Sequence, residues 1–249
     1  MEKAKRIGLL DEWRGFLVIL MVFFHSFYTG GYLFHWTALQ KLYLFFYPLE
    51  PLFAGMFIFL CGICCHFSHS NLKRGLLLLG IAIALSLVLW WLFPDNLIVF
   101  GILHFLAVAI LLYALLEKLL RKIPIFIGLI GCSLLTLLTW CVPFDKGFTL
   151  GIPGLFSWPL PVSLQSHLIL YPLGLGAMNS ADYFPLIPWI FVFWGGSFLG
   201  RWIKNHVLPS WMMKTHVPLL STIGKMALPM YLLHQPVIFG LFWLVELFH

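Results

Sequence analysis

Three histidines lie inside long apolar stretches of this chain, where an ionisable side chain is costly. His25, His104 and His234 have mostly aliphatic and aromatic neighbours. Burying such a side chain at the centre of a bilayer costs at least about 2.5 kcal/mol, so these residues usually serve a function. A neutral imidazole accepts a proton at physiological pH, and each histidine is therefore a candidate general base.

The histidines also have structural interpretations. A backbone carbonyl at a helix contact could satisfy the ring of His25, and His234 could belong to a structural kink whose polar groups satisfy each other. For His104, a role as orienting partner and a role in packing are equally consistent with the sequence. Three histidines can bind catalytic zinc, but here there is no i,i+4 pair and no obvious supporting carboxylate, so no metal is expected. Gln235 and Pro236 directly follow His234, and the proline predicts a kink at this polar step.

The composition indicates an integral membrane protein. The chain has 249 residues, is 61% hydrophobic and only 10% charged, and has a mean hydropathy of +0.97. Soluble domains are about 45–50% apolar and about 25% charged. The net charge of +6 comes from basic residues in short clusters between apolar runs. Membrane topology accounts for this pattern, so nucleic acid is not an expected partner.

The hydropathy pattern predicts an all-α fold, a polytopic transmembrane helical bundle in one domain over residues 1–249. Spans need roughly 20 apolar residues. The predicted spans are Gly15–Phe34, Tyr47–Phe67, Gly75–Phe93, Ile98–Leu116, Pro124–Val142, Phe184–Ile203 and Leu219–Leu241. Proline and glycine are frequent in residues 145–182, which predicts a re-entrant or interfacial outer segment. The alternative, an eighth span, would place the later cations outside.

Basic residues mark alternate loops of this topology. The clusters are Lys3, Lys5, Arg6 and Arg14; Lys73 and Arg74; Lys118, Arg121 and Lys122; and Arg201, Lys204 and Lys214. The opposite loops contain only Lys41 and Lys146. The positive-inside rule then predicts a cytoplasmic N-terminus, in what we expect to be a bacterial inner membrane.

The depths of the three histidines agree under this topology. At about 1.5 Å per residue, His25 lies about 16 Å beyond Arg14 and His234 about 14 Å beyond Lys225, both at the inner boundary. His104 lies about 9–12 Å below the outer boundary. In a hydrocarbon core of about 30 Å, all three fall near the midplane, where they are predicted to form one site.

Two polar groups are predicted at the membrane boundaries. Asp11 and Arg14 share a helix face on the cytoplasmic side and, with Lys73 and Arg74, could bind phosphates. The alternative for Arg14 is a plain topology anchor. On the outer side, Asp182 and Tyr183 could contact an outside substrate, although an interfacial tyrosine is often only an anchor.

Several short segments, in order, resemble the catalytic-domain family of heparan-α-glucosaminide N-acetyltransferase in its small bacterial form. They are Leu10-Asp11-Glu12-Trp13-Arg14-Gly15, Leu20-Met21-Val22-Phe23-Phe24-His25, Phe100-Gly101-Ile102-Leu103-His104-Phe105, Ser180-Ala181-Asp182-Tyr183-Phe184-Pro185-Leu186-Ile187-Pro188-Trp189 and Gly224-Lys225-Met226-Ala227-Leu228-Pro229-Met230-Tyr231-Leu232-Leu233-His234-Gln235-Pro236. Together they cover Leu10 to Pro236, nearly the whole chain.

The resemblance implies transmembrane acetylation. Acetyl-CoA would bind from the cytoplasm, and its acetyl group would pass to an amine or hydroxyl of a sugar or glycoconjugate outside. The implied catalytic residues are His25, His234 and His104. The donor would bind at Asp11, Arg14, Lys73 and Arg74 and the acceptor at Asp182, Tyr183, Gln235 and His35. His35 is included because the family's lysosomal member has Asn at the position of His25 and a histidine slightly later.

The residues leave several alternatives open. The acetyl group could transfer directly or through an acetyl-histidine, and a longer acyl group is not excluded. A proton-coupled transporter or flippase could use the same histidines, with a broken helix at Pro236. A third alternative is a non-catalytic membrane subunit. Gly195, Gly196 and Gly200 permit close helix packing, within one protomer or in a homo-oligomer.

Overall fold

The computed structural model describes residues 7–144, 149–152, 155–161, 168–176, 180 and 182–248, and these residues are mostly helical. The helices are α1 (Gly8–Tyr28), α2 (Thr37–Phe46), α3 (Glu50–Cys64), α4 (Asn71–Leu92), α5 (Ile102–Leu120), α6 (Ile125–Thr139), α7 (Cys141–Phe144), α8 (Leu186–Asn205), α9 (Ser210–Met213), α10 (Pro218–Lys225) and α11 (Ala227–Glu246). Two short strands, β1 (Thr149–Ile152) and β2 (Phe156–Pro159), pair antiparallel.

Seven described helical stretches are long and apolar enough to cross a membrane. They are Gly8–Leu33, Thr37–Phe67, Asn71–Leu92, Ile102–Leu120, Ile125–Pro143, Leu186–Asn205 and Ala227–Glu246. Large apolar side chains remain exposed on them, including Trp91, Leu115 and Phe126. Exposed apolar surface on this scale fits contact with lipid. The predicted all-α polytopic fold with seven spans is confirmed, and the protein is an integral membrane protein.

The last span begins later than the sequence predicted. Met226 has φ −101° and ψ 18°, and this residue separates α10 from α11. The apolar run from Leu219 to Leu241 therefore contains two helices, and its first part belongs to α10, which packs against α1. The helix α11 contains Pro236 and remains helical through it, so the proline does not break this span.

Residues 145–182 contain no helix of membrane-spanning length in their described parts. Strands β1 and β2 form a hairpin in which Leu150 pairs with Trp158 and Gly151 with Ser157. A 3-10 helix covers Leu168–Leu173. Gly151 has φ +154°, and a Cβ there would meet the carbonyl oxygen of Phe156 at 2.1 Å. Lys3, Lys5, Arg6 and Lys146, which contribute to the predicted topology, lie outside the described residues.

The chain divides into two compact units. The first contains Met1–Phe57 and Val207–His249, and the second contains Ile58–His206. In the first unit α1 and α10 approach closely through two glycines. A Cβ on Gly15 would lie 2.0 Å from the carbonyl oxygen of Leu220, and one on Gly224 would lie 1.9 Å from that of Asp11. Small residues permit this backbone contact, as in other membrane helix pairs.

In the second unit, glycines permit a similarly close backbone contact where α8 meets the end of α3. A Cβ on Gly196 would lie 2.0 Å from the carbonyl oxygen of Phe59, and one on Gly200 would lie 2.6 Å from that of Ile63. These glycines, which the sequence singled out for close helix packing, therefore serve contacts within one protomer.

Candidate active site

Two of the predicted site histidines lie side by side in the first unit. His25 is in the last turn of α1 and His234 is in α11, and their ring centroids are 4.8 Å apart with the planes inclined at 53°. His234 is buried, whereas His25 is partly exposed. Two residues 209 positions apart in sequence thus form one imidazole pair, as their similar predicted depths suggested.

A polar network fixes the orientation of the His25 ring. The side-chain amide nitrogen of Gln235 lies 2.9 Å from Nδ1 of His25, and its amide oxygen accepts a hydrogen bond from the hydroxyl of Thr29 at 3.4 Å. Because an amide nitrogen can only donate, Nδ1 of His25 accepts. In the neutral ring the hydrogen is then on Nε2, an assignment that follows from the bonding network.

The hydrogen-bonding pattern of His234 is the reverse. Its Nδ1 lies 2.5 Å from the backbone carbonyl oxygen of Tyr231, and a carbonyl can only accept. Nδ1 therefore carries the hydrogen and Nε2 has the lone pair. Nε2 is buried and has no hydrogen-bond partner among the described residues. The pair thus combines an available proton acceptor on His234 with an N–H donor on His25.

The chain changes helix type just after His25. A π-helical turn, Thr29–Leu33, follows α1 and contains the buried Thr29 that bonds to Gln235. Wider turns of this kind occur mostly as single turns within α-helices, often at functional sites. His35 follows the turn, is exposed and has φ 57°, outside the network of His25, Gln235 and Thr29.

The predicted donor residues belong to both units. In the first, Arg14 forms an ion pair with Asp11 at 3.0 Å and also donates to the carbonyl oxygen of Gly224 at 3.4 Å. The buried carboxylate of Glu12 accepts hydrogen bonds from the backbone N–H groups of His216 and Val217, just before α10. These contacts connect α1 to both ends of α10.

Lys73 and Arg74 are adjacent in the first turn of α4, in the second unit. The hydroxyl of Ser70 caps this helix by accepting from the backbone N–H of Lys73 at 3.3 Å. The first turn contains no acidic residue. Two cations at the positive end of a helix dipole are electrostatically unfavourable, and a bound anion would relieve this.

His104, the third predicted histidine, is buried near the start of α5 in the second unit. Its Nε2 lies 3.4 Å from the hydroxyl of Ser86 in α4, and its ring faces Phe100 at a centroid distance of 6.0 Å. Nδ1 is buried without a hydrogen-bond partner in the part of the chain that is described. Ser86 was not predicted from sequence, because a serine in a span usually bonds to its own helix.

Asp182 and Tyr183 organise the start of the same helix. Asp182 accepts the backbone N–H of Ile102 at 2.9 Å, which caps α5. The hydroxyl of Tyr183 donates to the carbonyl oxygen of Tyr171 at 2.8 Å, and the two rings stack at 4.4 Å. Burial, with a smaller effect of Tyr171, raises the pKa of Tyr183, so its hydroxyl stays protonated. A direct acceptor contact by either residue stays a prediction.

Among the described residues, no three His, Cys, Asp or Glu side chains lie together as a group that could hold a metal ion.

Thr29 was not predicted as a site residue from the sequence. Its signal was a polar side chain one helical turn beyond His25, which is the spacing of neighbours on one helix face.

The fold defines a polytopic helical membrane protein, and it brings two imidazole rings into one pair. A comparison with family models matches residues 6–236 to heparan-alpha-glucosaminide N-acetyltransferase, catalytic. The chain belongs to this family and is a membrane enzyme of the acetyltransferase type. Searches of curated proteins and of solved structures gave no match.

Proposed function

We propose that this protein transfers an acetyl group from cytoplasmic acetyl-CoA to an amine or hydroxyl of a sugar or glycoconjugate outside the cell. The whole chain acts as one acyltransferase domain in the bacterial inner membrane, with its N-terminus in the cytoplasm. Membership of the acetyltransferase family supports the reaction class. The observation that carries the proposal is the pairing of His25 and His234, in which Nε2 is an N–H donor on His25 and a lone-pair acceptor on His234.

In this mechanism His234 is the general base. Its Nε2 takes the proton from the acceptor nitrogen or oxygen as that atom attacks the thioester carbonyl carbon. The Nε2–H of His25 donates to the oxyanion of the tetrahedral intermediate. The carbon–sulfur bond then breaks, the acetylated acceptor leaves, and the CoA sulfur takes the proton from His234. If the acetyl group passes through an acetyl-histidine, the same lone pair on His234 is the nucleophile.

Gln235 and Thr29 have a supporting role in this mechanism. The Gln235 amide fixes which nitrogen of His25 carries hydrogen, and the hydroxyl of Thr29 fixes the direction of that amide. We therefore assign Gln235 to positioning His25, whereas the sequence had suggested an acceptor contact. His35 remains a proposed acceptor-side residue, because it is exposed on the predicted outer side of the first span.

We assign the phosphates of the donor to Lys73 and Arg74. Their place in an acid-free first helical turn favours an anion, and arginine and lysine side chains at such ends commonly bind phosphate. Asp11 and Arg14, predicted to share this role, contribute to the contact of α1 with α10. Their proposed donor contact is therefore secondary.

Sealed proteoliposomes test this proposal. The vesicles contain radiolabelled acetyl-CoA inside and glucosamine outside, and both acetylated glucosamine outside and free CoA thiol inside are measured. We expect both products from wild type and from His206→Ala, which changes an exposed histidine at the end of α8, and neither from His234→Gln. Glucosamine uptake without CoA release would instead establish a transporter. Release of neither product by folded wild type contradicts the proposal.

A further inference from the structure

The ring of His104 is oriented by one hydroxyl group, that of Ser86. This hydroxyl donates its single hydrogen to the backbone carbonyl oxygen of Ile98 at 2.5 Å. Its oxygen can then only accept from Nε2 of His104, which lies 3.4 Å away. Because the Ser86 oxygen can only accept here, the ring hydrogen of His104 is on Nε2.

The other ring nitrogen of His104 is an unsatisfied acceptor. Nδ1 has the lone pair and is buried with no partner among the described residues, and the residue as a whole is only 8% exposed. Buried polar atoms are nearly always hydrogen-bonded, so an orphaned one indicates a missing partner such as a ligand. That partner must offer an O–H or N–H group.

Two hydrogen bonds hold the start of α5, the helix that carries His104, in a defined position. Asp182 caps α5 at Ile102, two residues before His104, and the backbone N–H of Phe184 donates to the carbonyl oxygen of Phe100 at 3.1 Å. The segment before α8 thus fixes the first turn of α5. The predicted topology places this end of the helix toward the outer side, from which the acceptor would arrive.

We propose that Nδ1 of His104 accepts a hydrogen bond from a hydroxyl or amino group of the sugar acceptor that is not the group acetylated, and that Ser86 is the positioning residue that keeps Nδ1 unprotonated. The proposal rests on the proposed function. The two substrates differ in the required way: a sugar presents several O–H or N–H groups, whereas the thioester of acetyl-CoA has acceptor atoms alone.

Nitrogen NMR of the full-length protein in detergent, with 15N-labelled histidine rings, tests the tautomer. The His104 signals are assigned by their loss in His104→Gln. We expect an unprotonated Nδ1 in wild type and Ser86→Thr, and a mixture of tautomers in Ser86→Ala. Ser133→Ala is the matched control, because Ser133 donates within α6 to Leu129. A protonated Nδ1 in wild type, or no change in Ser86→Ala, overturns the positioning role.

Titration with glucosamine tests the ligand without requiring turnover. We expect the Nδ1 signal of His104 to shift toward the hydrogen-bonded value with glucosamine and to stay unchanged with acetyl-CoA alone. In kinetic measurements, Ser86→Ala should raise the KM for glucosamine about tenfold, the effect of about one lost hydrogen bond, and leave the KM for acetyl-CoA unchanged. Ser86→Thr should restore it.

The outcomes separate the two proposals. An Nδ1 shift with glucosamine in a wild type that transfers no acetyl group supports the His104 site and contradicts the proposed function. Acetyl transfer with no Nδ1 shift, or a KM change for acetyl-CoA in place of glucosamine, supports the proposed function and overturns the acceptor contact at His104.

Discussion

The side-chain amide of Gln235 donates a hydrogen bond to Nδ1 of His25 across 2.9 Å and so joins α11 to α1. This contact decides which nitrogen of His25 carries hydrogen. The neighbouring residue, His234, is fixed in the opposite way by the carbonyl oxygen of Tyr231. Two adjacent imidazoles then present one lone pair and one N–H group, as a base and an oxyanion donor require.

Reversing the Gln235 contact should impair turnover more than binding. In Gln235→Glu an ionised side chain can only accept, so a neutral His25 places its hydrogen on Nδ1 and loses the N–H that we assign to the oxyanion. Loss of one such donor lowers kcat about 100-fold or more. We expect this fall in acetyl-CoA turnover, with the KM for acetyl-CoA nearly unchanged.

Thr29→Val gives the matched comparison. It removes the hydrogen bond to the amide oxygen of Gln235 but leaves the Gln235 amide able to donate to His25. We expect a loss of only a few-fold, about the effect of one supporting hydrogen bond. Wild-type kcat in Gln235→Glu would show that this amide does not set the reactive tautomer.

The contact between α1 and α10 should be intolerant of added volume. In Gly224→Ala the new Cβ would lie 1.9 Å from the backbone carbonyl oxygen of Asp11, so one helix must shift. Such overpacking typically destabilises by about 1–3 kcal/mol. We expect a lower thermal unfolding midpoint in detergent for this variant than for wild type.

Gly240→Ala is the control for this prediction. Gly240 lies in α11, and no atom comes within 4 Å of a Cβ placed there. The substitution removes backbone freedom from the unfolded chain, so we expect no loss and a gain of about 0.4–1 kcal/mol. Equal unfolding midpoints for the two alanine variants would contradict the close contact of α1 and α10.

Hydropathy was sufficient to predict the overall architecture, because membrane spans are recognised by their length and apolar composition. Helical rise converts sequence position into distance along the membrane normal, so the sequence predicted a common depth for His25 and His234. Their side-by-side contact is a finding of the structure. The split between α10 and α11 was not predicted, although Lys225 interrupts the apolar run just before it, because hydropathy does not show the close glycine contacts between α10 and α1. Hydropathy therefore predicts the existence of a span better than it predicts the residues at which the span begins and ends.

The roles of individual polar groups needed coordinates. Which ring nitrogen of His234 carries hydrogen depends on a backbone carbonyl, and the sequence does not show where that carbonyl points. Asp182 was interpreted as a substrate contact, whereas its carboxylate also caps α5. Ser86 was not predicted as a site residue, because serines are common in membrane helices. Its hydrogen bond to Ile98 joins α4 to the segment before α5.

The cations at the start of α4 should act on donor binding. Replacing both Lys73 and Arg74 by alanine removes the charges that we assign to the phosphates of acetyl-CoA. We expect the KM for acetyl-CoA to rise at least about tenfold, with kcat unchanged, because one charged contact is worth about 1.5–3 kcal/mol. Titration calorimetry with acetyl-CoA measures the same loss without turnover.

Lys118→Ala removes a cation from the last turn of α5 and is the charge control for that experiment. It should leave acetyl-CoA affinity within about twofold, because surface charges that touch no ligand contribute little. A similar loss of affinity in Lys118→Ala would mean that overall charge, and not the start of α4, attracts the donor.

Tyr183 should make stability dependent on alkaline pH. Burial and Tyr171 raise its pKa in the folded protein above the usual value of about 10. The unfolded chain therefore loses this proton first as the pH rises, and stability falls above about pH 10. We expect the thermal unfolding midpoint to decline less steeply above pH 10 in Tyr183→Phe than in wild type. Parallel declines would contradict a buried, hydrogen-bonded Tyr183.

The assignment of His234 as the base is tested most directly by acetyl-CoA turnover with glucosamine as acceptor. Purified wild type, His234→Gln, His25→Gln and His206→Gln are compared for acetyl-CoA binding and for CoA release. We expect all four to bind acetyl-CoA, with release lowered about 10²–10⁴-fold in His234→Gln, the range for removal of a general base. His206→Gln should match wild type. Wild-type release by a folded His234→Gln that binds acetyl-CoA would contradict the account.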